Sequence, residues 1–185
     1  MNYYIADCHF GDGRMIDLNH RPFKNGDEMD ELMIKNWNKR VEDWDDVYIV
    51  GDLICKKADP IPYLERLKGR LHLICGNHDK VILENSKAKE FFKEIVDYIV
   101  VEDTGHRIVL FHYPILEWDG FYYGSWHIYG HIHNHPSLTQ RRAQKLFKAL
   151  NCGVDITNFK PATFDELVTI NRKDSQRSKR PEGSV

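Results

Sequence analysis

A chain of 185 residues suits one domain whose core needs no help from disulfides. Hydrophobic residues at 42% and charged residues at 29% are ordinary globular usage. The net charge of −2 excludes a general binder of nucleic acid or anionic membranes, while leaving room for a small phosphate pocket. Four scattered cysteines (Cys8, Cys55, Cys75, Cys152) form no CxxC pair, so neither a disulfide framework nor a thiolate zinc site is expected. There is no leader pattern and no apolar run of membrane length, so a cytoplasmic protein is the expectation.

In chain order, Tyr3 to Ala6 reads as a first strand ending at Asp7. From Asp27 to Trp44, Met29, Leu32, Met33, Trp37, Val41 and Trp44 recur near helical spacing, with Asp27 as N-cap. Val47 to Val50 is a short buried strand closed by Gly51. Pro60 opens a helix that Gly69 ends, and Leu71 to Cys75 is a third strand stopped by Gly76. This order favours a parallel sheet covered by helices. Farther on, Asp97 to Val101 and Arg107 to Phe111 read as strands flanking a Gly105 turn, and Trp126 to Tyr129 as another. The stretch from Lys145 to Cys152 fits strand or helix. A closing helix starts near Thr163, where "TFDE" has capping-box form. Residues 1–171 then make one domain, and 172–185 a disordered polar tail.

The chemistry-bearing residues fall where strands end. "IADCH" puts Asp7 and His9 after the first strand, "IVGDL" puts Asp52 after the second, and "ICGNHD" puts Asn77, His78 and Asp79 after the third. His112 ends another in "LFHYP". "IYGHIHNHP" places His131, His133 and His135 at alternate positions, which suits a metal site, a catalytic cluster or a histidine-rich loop. Singly, each piece has a structural explanation: an Asp after a strand is often a cap or Asx-turn, and a lone His a satisfied core residue. Five strand ends carrying the same chemistry argue for a site in the crevice beyond the strands' carboxyl ends. Oxygen and imidazole donors without thiolate suit Mn, Fe, Zn, Co or Ni, with Mn favoured. Seven donors suit two ions sharing a carboxylate, held about 3.5–4 Å apart.

The ordered set "DCH" (7–9), "GD" (51–52), "GNHD" (76–79), "H" (112) and "GHIH" (130–133) resembles the calcineurin-like metallophosphoesterase superfamily, in a compact bacterial or phage-type branch. "NCGVD" (151–155) and "KPATFDEL" (160–167) resemble the tail of the same domain. The resemblance implies an α/β fold, a four-layer αββα sandwich with two mixed β-sheets. It implies that Asp7, His9 and His133 hold one metal, Asn77, His112 and His131 the other, and that Asp52 bridges them. His78 would then face the phosphoryl group, with Asp79 orienting its ring, while a metal-bridging hydroxide attacks phosphorus in line. Monoester phosphatase, phosphodiesterase and nuclease activities share the core it implies, and a small phosphate ester, with a nucleotide as one candidate, is the expected substrate. The alternative is an inactive metal-site scaffold that binds partner proteins. A histidine-triad hydrolase and an amidohydrolase are remote, because Asn134 and Pro136 break the first pattern and the second sets its HxH near the start of a longer barrel.

Several residues stay open. Arg14 and Arg21 are either phosphate clamps or solvated arginines. The aromatic segment 113–126 could stack a base but reads better as core or a dimer contact. Cys8 is read as packing, and His135 as a rim residue facing solvent.

Overall fold

Period-two alternation in the early strands sets the architecture. In β1 (Asn2–Ile5), Tyr3 and Ile5 join one buried cluster while Tyr4 joins another on the opposite face. In β2 (Asp46–Ile49), Val47 and Ile49 take the first cluster and Tyr48 the second, and in β3 (Arg70–Ile74) Leu71 and Leu73 take the first. With β4 (Phe92–Val96) these strands form a sheet in the order β1-β2-β3-β4, every neighbour parallel. The computed structural model describes residues 1–177.

The first cluster lies under helix α2 (Gly26–Asn38), which buries Met29, Met33, Ile34 and Trp37. The second lies between two sheets. It meets Ile108 and Leu110 of β6 (His106–Phe111), Ile128 of β7 (Trp126–Tyr129) and Leu150 of β8 (Ala149–Asn151). β5 (Tyr98–Asp103) pairs antiparallel with β6, and β6, β7 and β8 run parallel, so this sheet is mixed. The β5–β6 turn at Thr104 and Gly105 has φ of 48° and 77°, the two left-handed residues a tight hairpin prefers. A single antiparallel bridge, Tyr4 to Ala162, adds the opposite sense to the first sheet. The expected αββα sandwich is thus present. At the top, a parallel bridge from Ala6 to Gly153 ties the first sheet to the end of the second.

The helices are shorter than their patterns suggest. α2 is capped by Asn25, whose side chain accepts from the Glu28 N–H at 2.9 Å, not by Asp27. It stops at Asn38, leaving Trp44 70% exposed beyond it. α1 (Arg14–Leu18) precedes it, and α3 (Ile61–Leu64) starts at Pro60 but ends before Gly69. α4 (Lys80–Leu83) and α5 (Ser86–Lys89) lead into β4, an edge strand whose Lys93 and Glu94 hid it from the hydrophobic pattern. Of 145–152, only β8 is regular, after α6 (Leu138–Ala143). α7 (Val154–Thr157) follows. α8 (Phe164–Arg177) begins with the expected capping box, Thr163 N–H donating to Glu166 Oε2 at 3.0 Å. It runs into the polar stretch as far as Arg177, and the rest of that stretch, 178–185, lies outside the described residues.

Candidate metal centre

The strand ends deliver their donors through unusual backbone. Asp7, His9, Asp52, His131 and His133 all have positive φ, between 48° and 70°. Such conformations cost non-glycine residues roughly 1–3 kcal/mol each and persist where the surroundings over-determine them. The alternate residues of "DCH" and "HIH" therefore converge through left-handed turns, not along an extended strand as the spacing suggested. Cys8 between two donors is buried in the first core cluster, as expected.

Two donor clusters result, each with ligand atoms mutually within 4.8 Å: Asp7, His9 and His133, and Asp52, His112 and His131. Asn77 belongs to the second, its Oδ1 lying 3.1 Å from both His112 Nε2 and His131 Nδ1. Asp52 Oδ2 lies between the clusters, 3.7 Å from His9 Nε2 and 3.5 Å from His112 Nε2. Close packing fixes it there. A side chain at Gly51 would meet His112 Nδ1 at 2.2 Å, and one at Gly76 would meet Asp52 Oδ1 at 2.4 Å, so both loops need glycine.

The electrostatics fit a cation. Burial pushes the Asp7 carboxyl up to about 6 and the His9 imidazole down to about 4. Asp7 Oδ2 and His9 Nε2 are buried with no hydrogen-bond partner, which is costly for a carboxylate and a neutral imidazole unless an ion takes both. Burial also raises Asp52, but hydrogen bonding and charge from His112, with help from the His78 N–H, reverse this and hold it at about 2. For His112 the loss of solvation is outweighed by Asp52 and Asp7, which push it up to about 9. The donor set therefore fits two divalent ions: oxygen and imidazole, no thiolate, an orphaned pair in one cluster and a shared carboxylate.

Two assignments need correction. Asp79 does not orient the His78 ring. Its fully buried carboxylate accepts from the backbone N–H of Gly76 (2.7 Å), Asp52 (2.9 Å) and Leu53 (3.0 Å), clamping the second strand-end loop to the third. Arg21 is no phosphate clamp, because its side chain is wholly buried. It donates to Asp155 (2.8 Å), to the Asp7 carbonyl (2.8 Å) and to the Cys8 carbonyl (3.0 Å). Asp155, to which no role was assigned, also accepts from His133 Nδ1 at 2.9 Å, fixing the tautomer that frees Nε2. Its position after β8, in "NCGVD", was the available signal. His112 is set the same way, Nδ1 donating to the Val50 carbonyl at 2.8 Å.

The clusters open into a groove of about 240 Å³ bordered by His9, Asn77, His78, His131 and His133. His135 also borders it, so it is part of the groove wall and not only a solvent-facing rim residue. His78 is exposed, its ring 5.4 Å from the His9 ring, and its backbone N–H donates to Asp52 Oδ1 at 2.8 Å. Arg14 lies in an adjoining pocket. The aromatic segment divides: Tyr113 packs edge-on to His131 at 4.5 Å and Trp118 is core, whereas Tyr122 and Tyr123 are exposed. A larger cavity of about 440 Å³, bordered by Asp30 and Tyr63, shares no residue with the clusters.

No protein-family model matches the chain. It is 35% identical over 180 residues to an uncharacterized protein of Methanocaldococcus jannaschii, covering 92% of this chain and 91% of that one. The chain belongs to the same family as that archaeal protein. This chain is also similar to a solved structure, a protein of unknown function from Aquifex aeolicus, with 28% identity and a TM-score of 0.71 over 92% of this chain and 98% of that one. A weaker likeness, to an archaeal phosphodiesterase, stands at 16% identity and a TM-score of 0.44 over 82% and 81% of the two chains.

Proposed function

We propose that the chain is a phosphate-ester hydrolase, acting on phosphodiesters or phosphomonoesters with two divalent metal ions. The observation that carries this reading is the Asp52 carboxylate standing within reach of histidines from both donor clusters, where strand ends of the two sheets meet. Asp7, His9 and His133 would hold one ion and Asn77, His112 and His131 the other, with Asp52 shared. Ions so bound supply Lewis acidity toward water and toward phosphoryl oxygens. This oxygen and imidazole donor set suits Mn, Fe, Zn, Co or Ni, and manganese is the ion proposed.

The chain's own groups do the rest. His78 stands at the groove without a hydrogen bond to its ring among the described residues, so its imidazole is free for a phosphoryl oxygen. In its protonated form it donates to the departing alkoxide as general acid. Its N–H bond to Asp52 ties its position to that of the shared carboxylate. The proposed substrate is a small phosphate ester, nucleotides included. Among the described residues no helix is long and apolar enough to cross a membrane, and the cytoplasm is the location proposed.

The test is hydrolysis of p-nitrophenyl phosphate and bis-p-nitrophenyl phosphate by purified protein loaded with each of the five metals, with metal content measured on the same sample. Hydrolysis of at least one substrate is expected, and Asp52→Asn should lower kcat by about 100-fold or more. His78→Ala should keep its metal and lose turnover. No hydrolysis with any metal would overturn the reading in favour of the scaffold.

A further inference from the structure

Beyond His78 the groove does not end. A second pocket of about 210 Å³ shares His9, Met15, Leu18 and His78 with the groove at the donor clusters and runs on to Arg14, Cys55 and Lys56. Where the two meet, Met15 and Leu18 give the wall an aliphatic part beside the His9 and His78 imidazoles. Its far end is cationic. Lys56 is exposed and makes no ion pair among the described residues. Arg14 is exposed too, but it is not loose. Asp12, itself buried, accepts from Arg14 Nε at 2.7 Å and from Nη2 at 2.6 Å. This bidentate hold takes one edge of the guanidinium and pre-sets the direction of the rest, so less rotamer freedom is lost when a second anion arrives. Asp12 cancels part of the charge, and Lys56 leaves the pocket's end with a cationic surplus.

We propose that Arg14 and Lys56 form a second anion subsite, selecting phosphate esters whose leaving group carries another anionic group across a short aliphatic spacer. The inference rests on the proposed hydrolase reading for which end of the ligand sits at the donor clusters. Met15 and Leu18 between the two ends suit a saturated linker, and no Phe, Tyr or Trp borders either pocket, the bordering rings being the smaller imidazoles of the histidines. The preferred substrate is accordingly a compact, doubly anionic ester and not an aryl one.

The test is calorimetric binding to manganese-loaded protein, so that it does not depend on turnover. Three non-hydrolysable probes share a three-carbon frame: propylphosphonate, 3-phosphonopropanoate and propane-1,3-bisphosphonate. At least one doubly anionic probe should bind about tenfold tighter than propylphosphonate. In the Arg14→Gln, Lys56→Gln double variant that ratio should fall close to one. Tight binding of the bisphosphonate alone assigns the subsite to phosphate, and tight binding of both probes to anions generally. Equal affinity of all three probes for the native protein overturns the proposal, as does a preference that survives in the double variant. Nitrophenyl ester hydrolysis on the same preparations reports separately on the hydrolase reading.

Discussion

The two donor clusters are braced by different means. Around Asp7, His9 and His133 the brace is a side-chain strut: buried Arg21 grips the carbonyls of Asp7 and Cys8 and reaches across to Asp155, which holds His133. Around Asp52 and Asn77 it is a backbone clamp, three N–H groups converging on Asp79. The difference follows from topology. β2 and β3 are neighbours in one sheet, so one carboxylate spans the loops that follow them. The ends of β1 and β7 belong to different sheets; the His131 N–H donates to Asp7 Oδ1 at 3.0 Å, and the long Arg21 side chain with its several donors adds the link through Asp155 to His133. The clamp should therefore govern folding, and the strut the affinity of one ion.

Breaking the clamp should have the largest effect. Asp79→Ala leaves three buried N–H groups without an acceptor, at about 1–3 kcal/mol each, so destabilisation above roughly 4 kcal/mol is expected. Urea unfolding of metal-free protein measures it, and a native-like midpoint would show that the clamp contributes little. Arg21→Met strands the Asp155 carboxylate and two carbonyls, and should cost about 3–5 kcal/mol. Metal analysis separates the two braces: if the native protein holds the two ions proposed, the Arg21 variant should retain one per chain. Loss of both together would mean that the strut serves the whole edge. Asp155→Asn is milder, since an amide oxygen still accepts from His133 Nδ1. A 10–100-fold weaker affinity at one of two sites is the expectation, read as a biphasic manganese titration.

Much of this site was legible because strand ends and polar residues coincide in the sequence. Asp7, His9, Asp52, Asn77, His112, His131 and His133 all follow short apolar runs, and the fold brings them to one edge. What holds them was not legible. The resemblance implied that Asp79 orients the His78 ring, yet the peptide turns it inward toward N–H groups donated by residues 52 and 53. Arg21 looked like a surface cation because no sequence pattern shows that Asp155 lies beside it. The left-handed turns at His131 and His133 were hidden for a related reason: positive φ is uncommon for any non-glycine residue, and it is the surroundings that hold these two there. β4 escaped because an edge strand tolerates charge.

The smallest effect concerns a third buried carboxylate, where a clamp is only half made. Asp30 Oδ2 accepts from Gly11 N–H at 2.9 Å and Tyr63 hydroxyl at 3.1 Å, bracing the loop just after His9, while Oδ1 is buried without a partner. Burial, opposed by those two donors, pushes its carboxyl up to about 6 from 3.8. A raised folded value means that the native state binds the proton more tightly than the unfolded chain. Its contribution to stability is therefore full below about pH 4 and is lost as pH rises through 6. At pH 7 Asp30 should cost about 1–3 kcal/mol, because its ionised form is poorly solvated. Asp30→Asn keeps an acceptor for Gly11 and carries no charge, so it should raise Tm by a few degrees at pH 7, and that gain should vanish by pH 4. Thermal unfolding of both proteins across this range reads the difference directly. A gain independent of pH would place the effect in packing, and a loss at pH 7 would mean that one carboxylate with two donors braces its loop as firmly as Asp79 does with three.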